Sequence, residues 1–166
     1  MSERAIARRV AIGLTWLIVT ACDPGTPPPS AGASTTNPPV TAAGFDVGEI
    51  KTASEYLQEP RFAEADLQRG ELLSLACAAC HTLRDGEKHN VGPNLHGVFG
   101  RKAGMSPGFD YSDALTGSDL VWTPRAIEAW LAEPAGFVPG TTMLFAGYRS
   151  DTDRRDLLAY LLMVTD

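Results

Sequence analysis

Cysteine is scarce in this 166-residue chain: there are three, Cys22, Cys77 and Cys80. An odd count, with one cysteine far from the other two, rules out an ordinary disulfide framework and leaves a single C-x-x-C pair to explain. Positive charge is also in short supply, with 14 Lys and Arg against 20 Asp and Glu and a formal charge of −6. That balance argues against a nucleic-acid partner and favours association with a basic docking face. The apolar run at the N-terminus, Val10 to Ala21, is about a dozen residues, short of the ~20 that a membrane-spanning helix needs. From Asp23 to about Phe45 large apolar residues are nearly missing, and Pro27-Pro28-Pro29 and Pro38-Pro39 sit among Ser, Thr, Ala and Gly. Such a stretch has too little to bury to form a core.

What is present at the N-terminus is signal-peptide anatomy: Arg4, Arg8 and Arg9, then the apolar run, then Cys22. The stretch Leu17-Ile18-Val19-Thr20-Ala21-Cys22 resembles the bacterial lipobox, which implies cleavage before Cys22 and lipidation of its thiol. An uncleaved apolar anchor and an ordinary thiol at Cys22 are the rival readings. Three segments result: a cleaved lipoprotein-type signal peptide over 1–21, a Pro/Ser/Thr/Ala-rich flexible tether over 22–61, and a folded domain over 62–166. As a coil of about 6 Å × √n, a tether of roughly 40 residues spans on the order of 40 Å. The sequence leaves open whether Ser54-Glu55-Tyr56-Leu57-Gln58 forms a helical turn before Pro60, and whether Tyr56, Leu57 and Phe62 pack on the domain.

The chemistry is carried by Cys77-Ala78-Ala79-Cys80-His81. On a helix, residues three apart share a face, so both thiols reach the vinyl groups of one porphyrin and form thioethers. His81, next in line, then offers its imidazole to the iron. A zinc half-site would need two further ligands and a second C-x-x-C is missing. A thioredoxin-like pair would need a βαβ context, which this helical-looking sequence lacks.

A second axial ligand is less directly written. His89, His96, Met105, Met143 and Met163 all lie downstream. Met163 falls within the apolar pattern of Leu157, Leu158, Leu161 and Leu162 and reads as core filler; Met105 lies in a Gly-rich loop and reads as exposed. Met143 follows Pro139-Gly140-Thr141-Thr142, a rigid turn that suits an aimed thioether, but spacing alone favours it only modestly.

From about Gly70 to Val164 the chain resembles the mitochondrial-type, class I cytochrome c family. The residues that carry the resemblance are Gly92-Pro93-Asn94-Leu95-His96-Gly97-Val98-Phe99-Gly100-Arg101-Lys102, Pro107-Gly108-Phe109-Asp110-Tyr111-Ser112-Asp113-Ala114, and Pro139-Gly140-Thr141-Thr142-Met143-Leu144-Phe145-Ala146-Gly147. The resemblance implies that Pro93 accepts a hydrogen bond from His81 Nδ1–H, that Met143 is the distal ligand, and that Arg101, Tyr111 and Trp122 surround a buried haem propionate. It also implies that His89 and His96 are loop histidines rather than ligands. Trp130 stands where many relatives have a tyrosine bonded to the methionine sulfur; its indole N–H either replaces that bond or misses it. Leu115 stands where asparagine is frequent. Ala135, Gly136 and Thr142 replace lysines that ring the haem edge in mitochondrial relatives, so their docking electrostatics do not transfer. The shorter Gly70-to-Cys77 spacing and an aliphatic Leu72 or Leu73 in place of an aromatic leave the register of the first helix against the last open.

The expected fold is therefore all-α: three main helices plus loops wrapped around one covalently bound haem c. A middle helix should start at Thr123-Pro124 and run to about Glu133, burying Ile127, Trp130 and Leu131. The last helix should be capped by Asp151 or Asp153 and bury Leu157, Tyr160 and Leu161. With both axial positions filled by protein, the expected function is single-electron transfer, not catalysis. The setting is a respiratory-type chain at the periplasmic, outer face of the cytoplasmic membrane. Donors and acceptors would be a quinol-oxidising complex, a terminal oxidase or a periplasmic dehydrogenase, and the carrier itself a monomer. The alternatives are an electron-entry subunit of one dehydrogenase or reductase, and a peroxidase or gas-binding protein in which Met143 is labile.

Overall fold

The computed structural model describes residues 42–46 and 48–166; the signal-like segment, Cys22 and the tether up to residue 41 lie outside them. The described residues are helical, without a strand beyond an isolated antiparallel bridge between Lys102 and Val121. The all-α expectation holds.

Two helices frame the domain. α2, Leu67–Ala78, starts at Asp66, whose carboxylate accepts from the Arg69 N–H at 3.0 Å. α6, Asp151–Val164, starts one residue earlier than expected: Ser150 is the cap, its hydroxyl accepting from the Asp153 N–H at 3.2 Å. Asp151 and Asp153 sit instead in the first turn, where a negative charge complements the helix dipole. The helices cross at Gly70, where a Cβ would lie 2.8 Å from Tyr160 Cβ and collide with the Asp156 carbonyl. This contact settles the register: Leu73 packs on the core, while Leu72 (68% exposed) and Leu75 (64%) face solvent. Asp156 is buried in the crossing, yet its carboxylate is satisfied by the Asp66 N–H at 3.2 Å and the Arg155 guanidinium at 2.8 Å. A buried carboxylate without such partners would be strongly destabilising.

α4, Pro124–Ala132, begins as expected, with Thr123 Oγ1 accepting from the Ala126 N–H and Pro124 in the first turn, where its missing N–H costs nothing. Ile127, Trp130 and Leu131 are its buried face. Pro134 interrupts the helix and starts the short α5, Pro134–Phe137. On α6, Leu157, Leu158, Leu161 and Leu162 are buried, but Tyr160 is only partly so. Met163, expected in the core, is 51% exposed. It follows the fully buried Leu162 on the side of the helix that faces solvent. α3, Asp113–Thr116, is a single turn that buries Leu115.

The tether expectation over 22–61 needs correcting from Ala42 onward. α1, Ala53–Leu57, carries a complete capping box between Thr52 and Glu55 and is followed by a 3₁₀ turn, Pro60–Phe62. Tyr56 and Phe62 are buried, and Arg61 pairs with Glu128 on α4 at 2.7 Å. The folded domain thus includes a strap that precedes α2. Among the described residues no helix is long and apolar enough to cross a membrane.

Candidate functional site

α2 does not end at its last regular residue. The Cys80 N–H donates to Cys77 O at 3.0 Å and the His81 N–H to the same carbonyl at 2.8 Å, so the turn continues through the motif and keeps Cys77, Cys80 and His81 on adjoining positions. Both cysteines are free thiols and partly buried. Burial pushes the Cys77 thiol up to about 11. The thiol is therefore protonated at neutral pH.

The chain then folds back under His81. The Gly92 N–H donates to Cys80 O at 2.7 Å, and a Cβ on Gly92 would lie 2.7 Å from His81 Nδ1, inside the ring's van der Waals envelope. Glycine is required there because the backbone itself is the floor of the imidazole. His81 Nδ1 lies 2.6 Å from Pro93 O, which assigns the proton to Nδ1 and leaves the Nε2 lone pair for a metal. Burial lowers the pKa of His81, with the Pro93 carbonyl opposing, which favours the neutral imidazole.

Asn94 ties this loop to the motif. Its amide donates to Thr82 Oγ1 at 2.8 Å and to Arg84 O at 2.9 Å, and its Oδ1 accepts from the His96 N–H at 2.8 Å. His89 links two loops: Nδ1 accepts from the Asn94 N–H and Nε2–H donates to Pro107 O, both at 2.9 Å. With both ring nitrogens used, His89 has none left for iron. His96 stands 3.6 Å from the exposed Asp85 carboxylate.

The Arg101, Tyr111 and Trp122 group is partly assembled by backbone pairing. Gly100 N–H donates to Trp122 O and Trp122 N–H to Arg101 O, each at 2.8 Å, which makes Arg101 and Trp122 neighbours. The Arg101 guanidinium donates to His96 O. Tyr111 packs edge-to-face on Phe109 at 4.8 Å, and burial raises its pKa, so its hydroxyl remains a donor. Trp130 lies edge-on against Trp122 at 5.4 Å and is almost fully buried. Ser112 was not singled out from the sequence. Its Oγ is buried without a hydrogen-bond partner, although Ser112 occupies the cap position of α3, where a hydroxyl normally bonds the helix. A buried donor beside Tyr111 fits an acceptor such as a propionate oxygen. The available signal was the hydroxyl residue directly after Tyr111.

Met143 follows α5 in a loop whose own bonds, among the described residues, are Thr141 N–H to Val138 O at 3.1 Å and Met143 N–H to Thr141 Oγ1 at 3.2 Å. Met143 is partly buried and packs against the core, whereas Met105 is 59% exposed. Leu83, Val98, Phe99, Tyr111, Trp122 and Phe145 likewise contribute partly buried apolar surface. Among the described residues no three His, Cys, Asp or Glu side chains converge as a metal cage would require. A neutral imidazole, two thiols, one thioether, apolar walls and an unpartnered hydroxyl together fit a covalently held haem.

No protein-family model matches the chain. It is 43% identical over 101 residues to cytochrome c of Stellaria longipes, covering 60% of this chain and 94% of that one. It is 41% identical over 91 residues to cytochrome c of Kluyveromyces lactis, covering 55% and 83%. A cytochrome c homolog of Bradyrhizobium diazoefficiens is 40% identical over 119 residues, covering 71% and 64%.

Proposed function

Because this chain belongs to the cytochrome c family, we propose that it is a single-electron carrier of a respiratory-type chain, tethered by lipid at Cys22 to the outer face of the cytoplasmic membrane. As a member of that family it is an electron-transfer protein with covalently bound haem c, not an enzyme.

In this reading Cys77 and Cys80 would hold the porphyrin by thioethers, and His81 and Met143 would ligate its iron. The haem supplies an iron that alternates between ferrous and ferric states. The Pro93 carbonyl holds the Nδ1 proton of His81, fixing the tautomer and ring plane and raising the basicity of Nε2. Arg101, Tyr111, Ser112 and Trp122 offer donors to the propionates, which cannot be buried unpaired without heavy cost. The soft thioether of Met143 favours the ferrous state and so raises the potential. With His81 and Met143 both ligating, the iron would have no site left for a reactant. A quinol-oxidising complex or a periplasmic dehydrogenase is the proposed donor, and a terminal oxidase the proposed acceptor.

The observation that carries the reading is the 2.6 Å contact of His81 Nδ1 with Pro93 O immediately behind the C-x-x-C pair. An optical redox titration of the purified protein tests it. The expected result is one low-spin haem with the weak near-infrared sulfur-to-iron band in the ferric state; a high-spin, water-ligated resting form would overturn it. For the tether, Cys22→Ser is expected to move the protein into soluble extract, and its retention in membranes would point to an uncleaved apolar anchor. A dehydrogenase that stays bound through purification would replace the shuttle by the subunit reading.

A further inference from the structure

The strap, residues 42–46 and 48–62, reaches the segment that leads into the methionine loop. The Ala42 N–H donates to Phe137 O at 2.8 Å, and Phe45 packs edge-to-face on the Phe137 ring, centroids 5.2 Å apart and planes at 89°. Phe45 is held from another side by Arg125 of α4, whose guanidinium carbon lies 5.2 Å from the ring and which also donates to Asp46 O at 3.1 Å. Phe137 closes α5 and is almost fully buried; six residues later comes Met143. Between Pro139 and Leu144 the loop's own hydrogen bonds are the two local ones already described, and Thr142 and Leu144 are exposed. Beyond Met143 the next backbone hydrogen bond is at Tyr148, whose N–H donates to Leu131 O at 2.7 Å; between them Phe145 packs partly buried on the core. The loop is thus a span held mainly at its two ends, and the strap grips the first.

We propose that Phe45 is a positioning residue for the iron site: by clamping Phe137 it holds the methionine loop in the arrangement that keeps Met143 on the iron. The inference rests on the assignment of Met143 as axial ligand. A loop anchored at both ends opens rarely, and releasing one end raises the population in which the sulfur is off the iron. An edge-to-face pair of this kind corresponds to about a two- to tenfold change in that population.

The test uses the full-length holoprotein, followed by the near-infrared band of the ferric form and by carbon monoxide binding to the reduced form at neutral pH. Phe45→Ala is expected to bind carbon monoxide several-fold faster than wild type and to lose the band at a temperature well below that of global unfolding. Phe45→Trp, which keeps an aromatic face for Phe137 and Arg125, should restore both. Ala42→Pro, which removes the donor to Phe137 O, should shift both in the same direction by less. A wild-type protein that shows the band, with all three variants binding carbon monoxide at the wild-type rate, overturns the positioning role while leaving the ligand assignment intact. A wild-type protein without the band overturns the ligand assignment and the inference with it.

Discussion

The two sides of the proposed iron site are built differently. On the histidine side, Thr82, His89, Pro93, Asn94 and His96 form a web in which side chains and carbonyls bond one another across several loops. The methionine side has two short-range bonds and apolar packing. A web of mutually dependent bonds has one low-energy arrangement, whereas a span held at its ends can open locally without unfolding the rest. On the proposed assignment, one face would hold His81 in a single arrangement, and the other would hold Met143 in a loop free to open locally.

That contrast breaks most severely at Gly92. A methyl group there has nowhere to go except into the His81 ring. Gly92→Ala is expected to tilt the imidazole off the Pro93 carbonyl, to cost about 1–3 kcal/mol of stability as an overpacked site does, and to cut the yield of haem-attached protein sharply. Pyridine haemochrome content per protein measures this, and a wild-type yield would mean that the backbone under His81 yields easily. Met143→Ala should act in the opposite way. Haem stays covalently attached, the near-infrared band disappears, and the potential falls by on the order of ~0.1 V within the ~0.8 V that axial ligands command. Should Met105→Ala remove the band instead, the loop assignment is wrong.

Asn94→Ala sharpens the difference at the next scale down. It removes three bonds made by one amide and leaves the His96 N–H and Thr82 hydroxyl seeking water, at an expected cost of about 1–3 kcal/mol in denaturant unfolding. Carbon monoxide binding should stay at the wild-type rate, because the web lies on the other face.

How much of this the residues announce depends on the range of the interaction. The C-x-x-C-H turn and the Thr123-Pro124 helix start are set by neighbours a few positions apart and are arranged as the spacing predicts, whereas the Pro93 partner, 12 residues from His81, is implied by the family resemblance alone. The cap of α6 was misread because Ser150, Asp151 and Asp153 are all competent within one turn, and local pattern does not rank them. Met163 continues the leucine periodicity of a helix whose last turn has no neighbour on that side, so periodicity overstates its burial. The sequence leaves the packing of Tyr56 and Phe62 open because what decides it lies far along the chain, as the Arg61–Glu128 pair across 67 residues shows, and the proline-rich composition before Phe45 gives no hint of that ring's contact with Phe137. Ser112 was missed for a different reason: its significance is a missing bond, which appears only when every neighbour is in place.

The smallest expected effect probes the methionine side from within. Thr141 Oγ1 accepts the Met143 N–H at 3.2 Å. Thr141→Val keeps the branched shape and removes that acceptor, so the Met143 amide loses a net contribution of about 1 kcal/mol. The loss falls on a segment that opens by itself, so it should show in carbon monoxide binding, about fivefold faster by that figure, and hardly at all in global unfolding. Haem content and the histidine side should be untouched. Equal shifts in binding and unfolding would mean that the loop opens only when the whole domain does, and the contrast between the two faces would then be one of appearance rather than of stability.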